Sequence, residues 1–369
     1  MVGKTKKNEW FYRVKILNPI TGKRIEKYKS GFLTKKEAIK AGDQIKRELE
    51  NNPSDFYEFK DLVNRFLADQ RNRNQTSTVE GKERNLRNYI LPYFEDKTLE
   101  QIDKKFVLSW ASEINSIKHL SNRTKNDITG LLKFIFAFGD IELDIPKNPT
   151  RAIRALPERS KKYRILTRDE FKKVMTHISQ EDEEEFLWLV FFSVLFNSGA
   201  RRGEIQALKF SDLNFESKMI RIDKTYSSKH KNKNEPLKHP KTESSVRTIP
   251  LDDNTFQLLR KVYERRIDDK NFSRDNFIFR RPDNPSLPFA DTTVERRKNI
   301  LIRKSKVPHF TVHDLRHSHA SELIGNNINI VVVSKRLGHS SVEVTINVYA
   351  HLLPSADLQV VNFINKMNE

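Results

Sequence analysis

The chain of 369 residues carries 68 lysines and arginines against 49 aspartates and glutamates, which gives a formal net charge of +19 and a pI of about 9.8. A field of this sign attracts polyanions, so DNA, RNA and anionic membrane surfaces are the candidate partners. The chain has no cysteine, which excludes disulfides and thiolate metal sites.

Two stretches decide between nucleic acid and membrane. The first residues, MVGKTKKNEW, lack the apolar core of a signal peptide. The longest apolar run, FLWLVFFSVLF at residues 186–196, is shorter than the roughly 20 residues that cross a bilayer. We therefore predict a buried core helix for this run, no membrane partner, and a cytoplasmic protein whose partner is nucleic acid.

Residues 1–50 predict a small, basic domain with a three-stranded sheet and one helix. In WFYRVKI the side chains alternate with a period of two, and RIEKYKS follows after a turn, so both segments predict β-strands. Thr34 and Glu37 stand three residues apart at the start of a helical stripe, as in a capping box. This region holds 14 lysines and arginines against 6 aspartates and glutamates. A DNA-contacting sheet is therefore favoured over a merely solvated accessory surface.

A second domain is predicted for residues 56–148, after a linker at 50–55. Its amphipathic segments indicate four helices packed as a small bundle. The basic side chains expected on the exposed faces, where such charges are usually solvated, are Arg71, Arg73, Lys82, Arg84, Arg87 and Lys125. The basic, proline-punctuated stretch 144–164 predicts a linker to the next domain.

Residues 165–369 predict a third, mixed domain that is mostly helical with a small antiparallel sheet. Thr167 and Glu170 form another capping box ahead of a helix, and a hairpin region is predicted at 219–251. The whole chain is thus expected to be a multidomain α+β protein. Its length agrees with two or three domains of roughly 100–200 residues each.

The segment HDLRHSHA (313–320) raises the question of a metal site. His313 and His317 are four residues apart on one helical face, as the two histidines of a zincin are. The zincin glutamate is missing, however, and Arg316 lies between the two histidines, where its positive charge opposes a bound cation. We therefore expect no metal and no other cofactor.

The segment HDLRHSHA is better suited to binding an anion than to binding a metal ion. His313 and Arg316 project from one face of a helix, and both donate hydrogen bonds that suit phosphate. Further donors and a potential nucleophile lie elsewhere in the chain: Arg201 in NSGARRGEI, Lys241 in HPKTESSVRTIPL, His339 in LGHSSVEVT, and Tyr349. Arginines and histidines can hold the charge of a reacting phosphodiester, a tyrosine hydroxyl can attack it, and a lysine can protonate the departing 5′ oxygen.

These motifs closely resemble the tyrosine recombinases, the phage-integrase family of site-specific DNA recombinases. The family order of arginine, lysine, His-x-x-Arg, histidine or tryptophan, and tyrosine is matched by Arg201, Lys241, His313, Arg316, His339 and Tyr349. This resemblance covers roughly residues 165–369. Upstream, residues 56–148 resemble the family's core-binding domain, and residues 1–50 resemble its arm-type DNA-binding domain.

The resemblance implies a role for each reacting group. Tyr349 is the nucleophile that forms a 3′-phosphotyrosyl link, while Arg201 and Arg316 clamp the scissile phosphate. Lys241 is the general acid, although Lys238 competes for this role in the same hairpin.

The remaining residues are expected to assist. The resemblance implies that His313 helps with proton transfer, that His339 bonds a non-bridging oxygen and that Glu204 orients the site. Packing or supporting roles are expected for Arg202, Asp314, His317 and His319, the last as a satisfied histidine near the helix surface. A mobile loop near phosphates is expected to carry Lys224, Lys229, Lys231 and Lys233.

The expected function is that of an integrase that cuts and rejoins DNA to integrate or excise a mobile genetic element. The expected partners are double-stranded DNA attachment sites, further copies of the chain in a homotetramer on DNA, a host DNA-bending protein and an excisionase. Bound to DNA, the protein would be associated with the bacterial nucleoid. The amphipathic C-terminal segment SADLQVVNFINKM is expected to dock either in cis or on a neighbouring protomer.

Two alternatives stay open at this point. A type IB topoisomerase shares this chemistry but religates the same strand, and the basic N-terminal sheet and the bundle argue against it. A DNA-binding regulator with a decayed catalytic domain is the second alternative, and the complete set of six residues argues against it.

Overall fold

The computed structural model describes residues 1–6, 8–17, 24–51, 57–74, 76–143, 148–158, 163–227, 237–238, 246–350 and 364–367. The chain divides into two compact units, Met1–Ser160 and Lys161–Glu369. Within the described ranges, no helix combines the length and the apolar character needed to cross a bilayer.

The first unit begins with the predicted small sheet. Its antiparallel strands lie in the order β1 (Val2–Lys4), β2 (Trp10–Leu17) and β3 (Arg24–Phe32), and α1 (Lys35–Asn51) packs against β2. The capping box is confirmed, because the backbone N–H of Glu37 donates to Thr34 Oγ1 at 3.2 Å and the N–H of Thr34 donates to Glu37 Oε2 at 3.3 Å. Of the linker predicted at 50–55, the first two residues belong to α1 and the rest lie outside the described residues.

The predicted helical bundle follows and is confirmed, but the second of the four predicted helical segments is divided into two α-helices joined by a π-helical turn. Its helices are α2 (Phe59–Arg73), α3 (Thr76–Asn85), α4 (Leu91–Phe94), α5 (Lys104–Ser116) and α6 (Asn122–Leu143). A π-helical turn at Leu86–Ile90 joins α3 to α4. The core is rich in aromatic rings, with Trp110 and Phe94 edge to face at 5.3 Å.

Two lysines predicted on the exposed faces of this bundle are not exposed. Lys125 is buried and its Nζ donates to the Asn115 carbonyl at 2.7 Å. Lys82 is half-buried, with its Nζ 4.8 Å from the centroid of the Phe134 ring. The reason is that a long lysine stem can lie along apolar surface while the ammonium finds a carbonyl or an aromatic face. Arg71, Arg73, Arg84 and Arg87 are exposed as predicted.

The second unit is mostly helical with small antiparallel sheets, as predicted. Its helices are α7 (Arg168–Met175), α8 (Glu183–Ser198), α9 (Arg202–Gln206), α10 (Asp253–Glu264), α11 (Asp291–Ser305), α12 (Val312–Gly325), α13 (Ile330–Leu337) and α14 (Val342–Tyr349). Its strands are β4 (Leu213–Asn214), β5 (Met219–Ile222), β6 (Thr225–Tyr226), β7 (Leu237–Lys238) and β8 (Arg247–Pro250), paired as β4-β5-β8 and β6-β7. The capping box of Thr167 and Glu170 is confirmed at the start of α7.

The apolar run at 186–196 forms the buried core helix α8, as predicted. The helix ends at Gly199, whose φ of +67° is a left-handed conformation that glycine adopts without strain. Arg201 follows this turn by two residues and lies at the start of α9.

Parts of three predicted features lie outside the described residues. In the hairpin region, β5 pairs with β8, but Lys241 belongs to 239–245, which the structure does not describe. Lys229, Lys231 and Lys233 likewise lie outside the described residues. Of the C-terminal segment predicted to dock in cis or in trans, residues 364–367 alone are described.

Candidate active site

Five of the six family residues are described, and they come from four separate elements. Arg201 precedes α9, His313 and Arg316 lie on α12, His339 follows α13, and Tyr349 ends α14. The two arginines are linked through neighbouring turns, since Arg316 Nη1 donates to the Gly199 carbonyl at 3.0 Å and Arg201 Nη2 donates to the Gly338 carbonyl at 3.3 Å.

Glu204 is the centre of a buried ion-pair network. One turn into α9, its carboxylate accepts hydrogen bonds from Arg201 Nη1 at 2.9 Å and from Arg247 Nη2 at 2.8 Å. Burial raises the pKa of Glu204, but the hydrogen bond and charge of Arg247, reinforced by Arg201, outweigh burial and leave the pKa below its ordinary value. Glu204 is therefore ionised at neutral pH and holds Arg201 in place.

Arg247 is a residue of the site that the sequence alone did not indicate. Its side chain, on β8, is 8% exposed, and its Nε donates to the Arg336 carbonyl at 2.7 Å. Gly338 packs so closely that a Cβ there would lie 2.8 Å from Arg247 Nη1. Arg247 thus touches both Glu204 and the turn that carries His339. Its position in the edge motif VRTIPL resembles any surface strand, so no local signal marks it.

Arg316 carries a charge into the protein interior. Burial, and then the charge of Arg201, lower its pKa to about 9, so it stays charged at neutral pH. Its Nη1 binds the Gly199 carbonyl, whereas its buried Nη2 has no hydrogen-bond partner among the described residues. A buried guanidinium with an unused donor is suited to an anionic oxygen.

His339 is neutral at pH 7. Its Nδ1 lies 2.7 Å from the buried Thr345 hydroxyl. Burial, followed by the charges of Arg316, Arg201 and Arg247, lowers the pKa of His339 to about 4. The positive charges of all three guanidinium groups therefore disfavour a proton on the same imidazole.

His313 is exposed and reaches the mouth of the site. Its ring meets that of His317 edge-on, with centroids 4.7 Å apart. Together with Arg201 and Tyr226, it lines an open cavity of about 490 Å³. A ligand entering this cavity would meet His313 and Arg201 together.

Tyr349 is buried, with 3% of its surface exposed. Its hydroxyl lies 2.6 Å from His317 Nδ1, and Tyr163 stacks on the His317 ring with 3.7 Å between centroids. Burial raises the pKa of Tyr349 although Arg316 opposes this effect. The phenol is therefore protonated at neutral pH in this arrangement.

Several polar neighbours are engaged in supporting contacts. Arg202 pairs with Asp291 at 3.1 Å and with Glu295 at 3.0 Å. Asp314 forms a capping box with Thr311 and so fixes the start of α12. The expectation that these residues support the site fits these contacts.

Two expectations about nearby side chains were wrong. His319 is buried rather than near the helix surface, because α12 lies against both α8 and α13, and its Nε2 accepts a hydrogen bond from Arg336 at 2.9 Å. Lys224 does not extend from a loop toward phosphates, because its ammonium is held by Asp212 at 2.6 Å and by Asp223 at 2.8 Å.

Lys238, the competitor of Lys241, lies on β7 opposite Thr225. In the part of the chain that the structure describes, no three His, Asp or Glu side chains cluster as metal ligands would. His317, one of the two histidines of the zincin-like pair, directs its Nδ1 at the Tyr349 hydroxyl.

Comparison with known proteins places the chain in a family. The model of the phage integrase family matches residues 164–355, an arm DNA-binding domain model matches 1–49, and the N-terminal SAM-like domain of phage integrases matches 58–114. The ICEBs1 integrase of Bacillus subtilis (strain 168) is 27% identical over 358 residues, which cover 95% of each chain.

Solved structures agree on the fold. The Tn1549 transposon integrase in complex with a circular intermediate DNA has a TM-score of 0.67 at 21% identity, over 84% of this chain and 98% of that one. A lambda integrase tetramer bound to a Holliday junction has a TM-score of 0.59 at 18% identity, over 92% of this chain and 95% of that one. With the family model matching more than half of its length, this chain belongs to the phage integrase family and is a site-specific DNA recombinase of the tyrosine class.

Proposed function

We propose that this recombinase is the integrase of a mobile genetic element and that Tyr349 is its nucleophile. The observation that carries the proposal is that Arg201 binds the Gly338 carbonyl next to His339 and that Arg316 keeps a buried donor unused. The buried Tyr349 hydroxyl contacts His317, the residue that follows Arg316 on α12. Relatives that are integrases of an integrative element and of transposons support the biological role.

The residue roles follow from the charge that a phosphodiester develops. Arg201 and the unused Nη2 of Arg316 bind the non-bridging oxygens of the scissile phosphate. His339, neutral and held by Thr345, adds a hydrogen bond to one of these oxygens. Glu204 keeps Arg201 oriented, and His313 at the cavity mouth assists proton transfer.

The reaction exchanges one ester for another and needs no external energy. The Tyr349 oxygen attacks phosphorus, the 5′ oxygen leaves with a proton from Lys241, and the bond energy is kept in a 3′-phosphotyrosine. The 5′ hydroxyl of the partner strand then attacks this link. Two such exchanges, through a Holliday junction, recombine two sites.

We further propose that residues 1–50 bind arm-type DNA sequences, that 56–148 bind the core site, and that 165–369 carry out catalysis. Recombination of two duplexes needs four active sites, so the working form is a homotetramer on DNA. A host DNA-bending protein and an excisionase would set the direction, and the complex would act on the bacterial nucleoid.

A two-plasmid recombination assay tests the function. The attachment sites come from sequencing the genomic junctions on either side of the gene. We expect recombinant products with the wild-type protein, in EDTA and without ATP, and none with Tyr349→Phe. Loss of activity in EDTA would instead point to a metal.

The same assay separates the two alternatives. A type IB topoisomerase would relax the plasmids without producing recombinants, and a DNA-binding regulator would bind the sites without cutting them.

A further inference from the structure

Tyr349 contacts a histidine that the mechanism above does not use. His317 follows Arg316 on α12 and is 5% exposed. Its Nδ1 lies 2.6 Å from the Tyr349 hydroxyl. Tyr163 stacks on the imidazole with the two planes inclined by 27°, and His313 meets it edge-on. These rings fix the plane of the imidazole and direct Nδ1 at the phenol.

The attack by Tyr349 requires that its hydroxyl lose a proton. Burial raises the pKa of Tyr349, and the charge of Arg316 lowers it again only in part. A buried phenol therefore needs a proton acceptor within hydrogen-bond reach at the moment of attack. His317 Nδ1 meets this geometric requirement in the structure as it stands.

We propose that His317 is a catalytic residue that takes the phenolic proton of Tyr349 during strand cleavage and returns it during strand joining. This inference rests on the proposed role of Tyr349 as nucleophile. In cleavage, the bond from Tyr349 Oη to phosphorus forms and the bond from phosphorus to the 5′ oxygen breaks. The phenolic proton moves to His317 Nδ1, and the 5′ oxygen receives a proton from Lys241.

Joining reverses each transfer. The incoming 5′ hydroxyl attacks phosphorus and gives its proton to Lys241. The bond between phosphorus and Tyr349 Oη breaks, and His317 protonates the departing oxygen. His317 thus ends each cycle neutral, ready to accept again.

To act as a base, His317 must present a neutral imidazole to the phenol before the attack. Among the described residues, the titratable groups seen in contact with its ring are Tyr163 ahead of α7, His313 on α12 and Tyr349 on α14, and Arg316 precedes it in the chain. A neutral ring with its hydrogen on Nε2 leaves the Nδ1 lone pair for the phenol.

Cleavage of two nicked attachment-site substrates tests this role. One carries the ordinary 5′ oxygen at the scissile phosphate, and the other carries sulfur there, which leaves without a general acid. His317→Asn keeps a hydrogen-bonding group near the Nδ1 position but cannot act as a base. We expect covalent adduct formation to slow by about 100-fold or more on both substrates, within the range of general-base catalysis. Lys241→Ala should instead regain most of its rate on the sulfur substrate.

His319→Gln is the matched control. His319 is equally buried, lies on the same helix and binds Arg336 rather than Tyr349. We expect its rate to stay within about threefold of wild type, a difference too small to reflect a lost catalytic group. Thermal melting and DNA binding report whether each variant is folded.

A measurement on the wild-type protein covers the case in which His317→Asn does not fold. In a ¹⁵N spectrum of histidine-labelled protein, the His317 signals are those that shift in Tyr349→Phe. We expect the tautomer with hydrogen on Nε2, whereas hydrogen on Nδ1 overturns the proposal.

Three kinetic outcomes also overturn it. His317→Asn could cleave at nearly the wild-type rate, it could cleave faster because the imidazole merely restrains the tyrosine, or it could recover on the sulfur substrate because it acts on the leaving group. An adduct that persists in Tyr349→Phe refutes the proposed nucleophile itself, which separates that failure from a failure of His317 alone.

Discussion

At the scale of single residues, the site brings positive charges close together in a buried region, which is unfavourable for the stability of the fold. Arg316 is buried with Nη2 unpaired among the described residues, and Arg201 and Arg247 add charge close by. Burying a guanidinium without a full set of partners is unfavourable. A phosphate oxygen would satisfy that donor and offset the repulsion, which is why this arrangement suits an anion.

The two arginines of the proposed phosphate clamp give the first prediction. Arg201→Ala or Arg316→Ala should slow covalent adduct formation by about 10²–10³-fold, the effect of losing one donor that stabilises transition-state charge. Single-turnover cleavage of a nicked attachment site measures the rate. Arg266→Ala, which removes an arginine paired with Glu183, serves as the control and should cleave normally. A clamp variant that cleaves as fast as this control contradicts the assignment.

Glu204 gives a prediction on pH and stability. Its folded-state pKa lies below the ordinary value of 4.5. Its contribution to stability is therefore complete above that value and is lost as the pH falls through the folded-state pKa. Removing one partner of a buried ion pair typically costs about 3 kcal/mol, so Glu204→Gln should lower the melting temperature at pH 7.

The measurement is a set of melting curves for wild type and Glu204→Gln between neutral and acidic pH. The difference between the two melting temperatures should become smaller once the pH drops below the ordinary pKa of a glutamate, 4.5. A gap that is constant over the whole range shows that the carboxylate charge does not stabilise the network.

At the scale of elements, the turn from α8 to α9 decides where Arg201 lies. Gly199 has a φ of +67°, and a Cβ on it would lie 2.4 Å from His319 Cδ2. Gly199→Ala should therefore destabilise the second unit by about 2 kcal/mol or more, from left-handed strain and overpacking together. Gly325→Ala, at the end of α12 with no atom within 4 Å of the new Cβ, should be neutral or stabilising by up to about 1 kcal/mol.

Urea unfolding curves of the two variants check this prediction. If Gly199→Ala and Gly325→Ala unfold at the same urea concentration, then neither the left-handed backbone at Gly199 nor its close contact with His319 restricts the side chain there.

The elements also show what the sequence can and cannot predict. The capping boxes at Thr34 and Thr167 were predictable because both partners lie three residues apart. The α8 core helix was predictable because its apolar run is continuous. Contacts between distant residues leave no such local pattern.

Arg247 and His317 illustrate these distant contacts. Arg247 binds Glu204 across 43 residues, and His317 meets Tyr349 across 32 residues. Since a strand arginine or a helix histidine is usually solvated or packed, nothing in the neighbouring sequence distinguishes these two. His319 was misplaced for a similar reason, because the burial of α12 on several sides depends on helices distant in sequence.

At the scale of the whole molecule, the net charge of +19 predicts how the protein binds DNA. Contacts to phosphates release counterions, so affinity should fall steeply with salt. For about six phosphate contacts, the slope of log K against log salt concentration should be about −5. Titration of a labelled attachment site at several salt concentrations measures this slope. A slope near zero contradicts binding through the phosphate backbone.

The central claim is that distant cationic side chains gather around one DNA phosphate within reach of the Tyr349 oxygen. It is tested most directly by trapping the protein on a nicked attachment site, digesting the complex with protease and identifying the peptide joined to the DNA by mass spectrometry. We predict that the linked residue is Tyr349, attached to a 3′ phosphate. A link through any other residue, or through a 5′ phosphate, would contradict the account.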